Sequence, residues 1–221
     1  MDYKTEVFLD MIFGIGLSKT GTSSLAKALK VLGYKVKHYP LESTQWTGPK
    51  AAKVVLPVLN TINRLFGKET FSYRETLYRN YNNHFNLSFF ENYEAACDLP
   101  LALYYKELYE HYPDAKFILT TRDLDSWLNS AEKHFTVGIR SIFQHHRNRV
   151  RLDIYDSIEF DRQKFLNAYT QHTINVRNFF AGKDNYLELD VCEGDGYDKL
   201  SPFLGKEIIS ENFPRENFAS N

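Results

Sequence analysis

Met11-Ile-Phe-Gly-Ile-Gly-Leu-Ser-Lys-Thr-Gly-Thr-Ser-Ser-Leu25 decides how the rest of this chain is read. Met11 to Ile15 is apolar and β-prone, and the run breaks at Gly16. A short loop of small and hydroxylated residues follows. Ala26-Lys-Ala-Leu-Lys-Val-Leu32 then has the pattern of a helix that ends at Gly33. Strand, small-residue loop and helix together can hold a phosphate-like anion. Backbone N–H groups curl inward, the helix N-terminus contributes partial positive charge, and small side chains let the anion come close. Ser18, Thr20, Gly21, Thr22, Ser23 and Ser24 are the candidate anion-binding positions, and Lys19 adds a full charge. The plainer reading is a Ser/Thr cluster that caps an ordinary strand-to-helix turn.

Two familiar nucleotide loops are excluded. G-x-x-x-x-G-K-[ST] requires Lys after the second Gly, whereas Thr22 and Ser23 follow Gly21 and the Lys lies inside the loop at position 19. G-x-G-x-x-G fails because Lys19 stands where the third Gly should be.

Outward from this stretch, strands and helices alternate. Tyr34 to His38 is a second short strand, Tyr93 to Cys97 a third, Lys116 to Thr121 a fourth and Tyr186 to Leu189 the last. Leu101 to Tyr112, Leu124 to Phe135, Asp161 to Phe180 and Tyr197 to Leu204 are helical. Such alternation implies right-handed crossovers and an α/β fold with a central parallel sheet covered on both faces. Ligands then bind beyond the carboxyl ends of the strands, where the 16–23 loop, Asp98 and Arg122 all fall. Residues 41–93 interrupt the rhythm. They carry a helical pattern from Ala51 to Leu65 and a crowd of aromatics, read chiefly as a satellite core. A second insertion, at about 136–160, holds Arg140, His145, His146, Arg147, Arg149 and Arg151. It reads as a solvated helix face or as a local anion-binding surface.

The 221 residues suit one domain with a substantial core and these two insertions. A net charge of −1 offers no global attraction for nucleic acid or an anionic membrane, so neither is expected as a partner. Cys97 and Cys192 lie far apart without metal-ligand spacing, which suits a reducing compartment. No run approaches the ~18–20 apolar residues of a membrane span, and Met1 to Glu6 is not a signal peptide. The expectation is a cytoplasmic protein.

Arg122 and Ser130, eight residues apart around the fourth strand, narrow the chemistry. With Ser18-Lys-Thr-Gly-Thr22 and Thr121-Arg-Asp-Leu-Asp-Ser-Trp-Leu-Asn-Ser130 in order, the chain resembles the sulfotransferases that use 3′-phosphoadenosine 5′-phosphosulfate (PAPS). Asp98-Leu-Pro-Leu-Ala-Leu103 looks like the family's H-L-P-L segment. The ending, Phe203 to Glu207 with Phe213 to Asn217, is similar to that of compact bacterial-type members. The resemblance covers residues 11–40, 95–135 and 186–217 and not the two insertions. It implies a three-layer α/β/α fold of the P-loop NTPase-like sulfotransferase kind. It also implies PAPS as donor, adenosine 3′,5′-bisphosphate (PAP) as product, and no metal. By resemblance, residues 18–24 hold the 5′-phosphosulfate, Lys19 is the cation and proton donor at the bridging oxygen, and Arg122 with Ser130 holds the 3′-phosphate.

Two departures follow from the same comparison. The family's catalytic His is Asp98 here, and its adenine-stacking Trp is Ser24, so adenine must be held elsewhere. Asp98 is one candidate base; as a plain helix cap before Leu101 it would have no such role. His38, at the end of the second strand, is the other. The aromatic insertion favours a small hydroxylated or phenolic acceptor, or a lipid head group, and the basic stretch leaves an anionic glycan open. A P-loop small-molecule kinase and a non-catalytic nucleotide-binding module of the same fold are the rival readings.

Overall fold

The computed structural model describes residues 11–47, 82–135, 145–209 and 212–216. The chain divides into two compact units that interleave in sequence. The first comprises Met1–Pro40, Leu87–Arg122 and Phe179–Asn221, and the second Leu41–Asn86 and Asp123–Asn178.

A five-stranded, wholly parallel sheet forms the centre of the first unit. Its strands are β1 (Ile12–Gly14), β2 (Val36–His38), β5 (Ala95–Cys97), β6 (Lys116–Thr120) and β7 (Tyr186–Leu189), in the order β2-β5-β1-β6-β7. β1 is central and buried along its whole length, and so carries no polar alternation. Ile12 stands opposite Ala95 and Lys116, and Gly14 opposite Cys97 and Ile118. The absence of a side chain at Gly14 permits this closeness, since a Cβ there would lie 2.9 Å from the Cys97 sulfur.

The strand order also explains the layers. From β1 the chain steps outward to β2, then returns to β5 and crosses to β6 and β7. Right-handed crossovers in opposite directions place their helices on opposite faces. Helix α1 (Thr22–Val31) accordingly packs with Leu25, Ala28 and Leu29 on the face of Ile12, Ile118 and Leu189, joined there by α6 (Tyr197–Phe203) through Tyr197 and Leu200. On the other face lies an aromatic core. Phe13 meets Phe90 and Phe117 at 5.5 and 5.6 Å, while α2 (Leu101–His111) sends Tyr109 to Phe117 and Phe180. Phe180, the last residue of α5 (Arg162–Phe180), also stacks on Tyr186 at 5.0 Å. The result is the expected three-layer α/β/α arrangement around a parallel sheet. Phe90 belongs to this main core rather than to a satellite; the helical pattern at 51–65 and the aromatics from Phe66 to Tyr81 lie outside the described residues.

Element boundaries differ from the sequence reading where a cap intervenes. β2 begins at Val36, not Tyr34, because the Gly33 and Tyr34 N–H groups turn back to the Lys30 and Leu29 carbonyls. Gly33, at φ 92°, supplies the left-handed residue that such a helix ending requires.

In the second unit, β3 (Thr44–Thr47) and β4 (Asn82–Phe85) pair antiparallel, with Thr44 opposite Phe85. Helix α3 (Leu124–Phe135) starts where the Asp123 carboxylate accepts the Ser126 N–H at 2.9 Å. Trp127, Phe135, Tyr155 and Phe165 form an aromatic core with α4 (His145–Tyr155), in which Tyr155 and Phe165 stack at 4.2 Å. Part of the basic stretch is drawn into this packing. Arg149 pairs with Asp153 one turn on, and buried Arg151 lies 4.7 Å over Phe135 with its Nη1 directed to the Ile158 carbonyl. Arg151 is thereby withdrawn from a solvated face, whereas Arg149 stays partly exposed beside Asp153, and Arg140 and the side chains of His145 and His146 lie outside the described residues. Among the described residues no helix is long and apolar enough to cross a membrane.

Candidate active site

Four carboxyl-edge segments of the first unit meet: the 15–21 loop after β1, His38 at the end of β2, Asp98 after β5, and Thr120 to Arg122 at the end of β6. The loop is pinned before it curls. A Cβ on Gly16 would overlap the Thr120 hydroxyl and sit 2.7 Å from the Thr120 carbonyl oxygen, so only glycine fits. Thr20 gives its hydroxyl proton to the Leu17 carbonyl at 2.7 Å. The Thr120 hydroxyl, 2.6 Å away, is therefore the donor to Thr20. Lys19 at φ 76° and Gly21 at φ 103° then take left-handed backbone, the geometry that gathers successive N–H groups into an anion-binding concavity. A lysine held in this region carries a strain of about 1–3 kcal/mol that the rest of the loop must support.

The loop's hydroxyls do not cap α1, and that overturns the plainer sequence reading. Gly21 is the N-cap, and no side chain bonds to the helix's first N–H groups. Ser18 Oγ instead donates to Asp98 Oδ1 at 2.6 Å, and Thr22 Oγ1 donates to Asp98 Oδ2 at 2.8 Å. Ser24 Oγ accepts the Glu216 N–H at 3.0 Å, and Ser23 Oγ lies 3.4 Å from His38 Nε2. A hydroxyl has one proton to give. Ser18, Thr20 and Thr22 have given theirs to protein oxygens, so the first-turn N–H groups of α1, the Lys19 ammonium and Ser23 are left to meet an anion. Among the described residues the Lys19 side chain has no partner.

Asp98 is the hub of the site. It is buried, at φ 80°, and also accepts the Leu99 N–H at 2.7 Å and faces His38 Nε2 at 3.3 Å. It is not the cap of α2: that helix has Pro100 at its N-cap, without a side-chain bond. Burial alone would push the Asp98 carboxyl up. The hydrogen bond and charge of His38, then the bonds from Ser18 and Leu99, outweigh burial and hold it below its ordinary value. Beside it, burial and then the Asp98 charge push the Cys97 thiol far up, so Cys97 stays neutral.

Arg122 follows β6 and Thr121 and directs Nη1 to the Lys19 carbonyl at 3.5 Å. It belongs to the first unit; Ser130, half-buried on α3, belongs to the second. Thr120 and Glu216 were not among the site candidates of the sequence reading. The hydroxyl pair Thr120-Thr121 closing an apolar strand was the available sign for the first. Glu216, in the C-terminal segment, pairs with Lys27 at 2.6 Å and lies over α1, a placement that no local pattern announces.

The chain is similar to known proteins. A crystal structure of a sulfotransferase from Alicyclobacillus acidocaldarius superposes with a TM-score of 0.47 at 17% identity, covering 95% of this chain and 85% of that one. A curated protein of Aspergillus versicolor, Ava biosynthesis cluster protein M, is 24% identical over 225 residues, spanning 90% of this chain and 78% of the other. The profile of the sulfotransferase domain family matches residues 11–221, and the chain belongs to that family.

Proposed function

We propose that this chain transfers a sulfuryl group from PAPS to a hydroxyl on a small molecule or glycan and releases PAP. One observation carries the reading: the loop from Gly16 to Gly21 opens onto an uncapped helix N-terminus and holds a lysine whose side chain has no partner among the described residues. Orphan N–H donors and a cation fit a phosphosulfate, and Arg122 beside the loop fits a further phosphate. PAPS would supply the activated sulfuryl group. The chain's residues would hold and polarise it: the first-turn N–H groups of α1 and the Ser23 hydroxyl at the 5′ end, and Arg122 at the 3′-phosphate. Lys19 would stabilise charge on the bridging oxygen without covalent catalysis. Residues 18–24 act as one loop in which Ser18 and Thr22 work through Asp98 rather than on the anion. The Asp98–His38 pair supplies the base, and no metal enters the reading.

The test is binding followed by transfer. Calorimetry with PAP, with adenosine 5′-phosphate and with ATP–Mg²⁺ should rank PAP first, and Arg122→Ala should lose affinity for PAP but not for adenosine 5′-phosphate. Stabilisation by ATP–Mg²⁺ alone points to a kinase. PAP binding with no sulfated product from labelled PAPS across phenols, alcohols and sugars points to a binding module.

A further inference from the structure

We infer that His38, not Asp98, takes the acceptor's proton, and that Asp98 is a positioning residue that acts through His38 and through the loop. The inference rests on the sulfotransferase reading above and goes on to divide labour within its base pair. Four donors converge on the Asp98 carboxylate: the Ser18 and Thr22 hydroxyls, the Leu99 N–H and His38 Nε2, at 2.6 to 3.3 Å. Both oxygens are occupied and the group is buried, so an incoming hydroxyl has no lone pair to reach. His38 is different. Its side chain is 33% exposed, and both of its contacts are made by Nε2.

Those contacts decide the tautomer. A carboxylate only accepts, so the nitrogen facing Asp98 must carry the proton, and in the neutral ring the lone pair lies on Nδ1. Among the described residues Nδ1 has no partner. The groups around the imidazole leave this arrangement undisturbed. Asp98 comes from the end of β5, the Ser23 hydroxyl comes from α1, and Cys97, the register partner of His38 on β5, is a neutral thiol. A carboxylate that orients an imidazole is the same division of roles that prepares a general base elsewhere.

The step then balances. The acceptor oxygen forms its bond to sulfur as its proton passes to His38 Nδ1. The bond from sulfur to the bridging oxygen breaks, and its electron pair leaves on the 5′-phosphate of PAP. His38 becomes an imidazolium beside the Asp98 carboxylate, which stabilises the charge. Because Ser18 and Thr22 bond to the same carboxylate, the base and the loop carrying Lys19 are held by one group.

Long-range ¹H–¹⁵N NMR of the full chain should find the proton of the neutral His38 ring on Nε2, and this preference should weaken in Asp98→Asn. His38→Gln keeps an N–H for Asp98 and has no basic nitrogen. With ³⁵S-labelled PAPS and 4-nitrophenol, an alcohol or water as acceptor, it should lower kcat by at least 10²-fold while PAP affinity stays within about twofold. His38→Ala should regain rate when free imidazole is added. An Nδ1–H tautomer in the wild type, or full turnover by His38→Gln with Asp98→Asn alone inactive, overturns the assignment. A wild type that binds PAP yet sulfates nothing, water included, also overturns it. Failure to bind PAP at all removes the sulfotransferase reading itself, and an Nε2–H signal would then mark a purely structural pair.

Discussion

Thr20 and Thr120, a hundred positions apart in the chain, place their hydroxyl oxygens 2.6 Å from each other beneath the candidate anion loop. Thr20 also bonds the Leu17 carbonyl, so the pair ties the loop's own turn to the end of β6. Removing either hydroxyl leaves the other short of a buried partner. Thr120→Val should therefore cost about 1–3 kcal/mol in urea unfolding and weaken PAP binding in proportion to loop disorder. Thr20→Val/Thr120→Val should cost less than the sum of the two single changes, which a double-mutant cycle reads directly.

Gly16→Ala should be more damaging than its size suggests. The added methyl meets the Thr120 hydroxyl and a carbonyl oxygen of β6, and the latter belongs to the sheet backbone. A loss of about 1–3 kcal/mol with disproportionate loss of PAP affinity is expected. Gly33→Ala is the control: nothing stands within 4 Å of its new Cβ, and only the left-handed backbone at φ 92° resists it. Its cost should be about 1 kcal/mol, with ligand binding intact.

Lys19 sets function against stability. Its side chain has no protein partner among the described residues, while its backbone sits at φ 76°. Lys19→Ala should fold normally and lose on the order of 10²–10³-fold in sulfuryl transfer. Lys19→Gly should be equally inactive yet thermally more stable than the wild type, by up to about 1 kcal/mol. Equal or lower stability of the glycine variant would show that the loop is not strained at this position.

Asp98 makes stability depend on acidity in a defined direction. Its folded value lies below the ordinary 3.8, because His38 and its other donors outweigh burial. Its contribution is thus fully present above about pH 3.8 and is lost as pH falls through the lower folded value. Asp98→Asn should cost on the order of 3 kcal/mol at pH 7, where four donors lose a charged acceptor. Urea unfolding of both proteins as a function of pH should show this gap closing on the acid side only.

The Lys27–Glu216 ion pair should matter little in spite of its 2.6 Å distance. Its side chains are 59% and 40% exposed, so solvent screens the attraction. Lys27→Met should change stability by less than about 1 kcal/mol. Ser24→Ala, which removes the buried acceptor of the Glu216 N–H, should loosen the C-terminal segment more, seen as faster amide exchange at Glu216.

Local pattern was enough for the elements that bury one face. The α3 helix and β7 were legible to the residue, because apolar periodicity and an N-terminal Asp or a flanking turn mark such segments without help from distant contacts. The alternation of strands and helices also implied the parallel sheet and the edge where the loop, Asp98 and Arg122 fall. Side-chain roles were another matter. Ser18 and Thr22 look the same in sequence whether they face an anion or a carboxylate 80 and 76 positions away. The arginines of α4 look like a charged face until Asp153 and Phe135 are seen beside them.

The sequence by itself therefore determined the architecture, the position of the loop and the family resemblance. All three follow from short-range periodicity, turn chemistry and residue types at fixed spacing. Only the tertiary structure decided that Ser18 and Thr22 turn to Asp98, that Gly21 is the N-cap of α1 without a side-chain bond, and that His38 meets Asp98 and Ser23 through Nε2. A hydroxyl or an imidazole proton goes to whichever acceptor lies within about 3 Å. Here the acceptor arrives from strand β5, which the loop meets only once the sheet has formed.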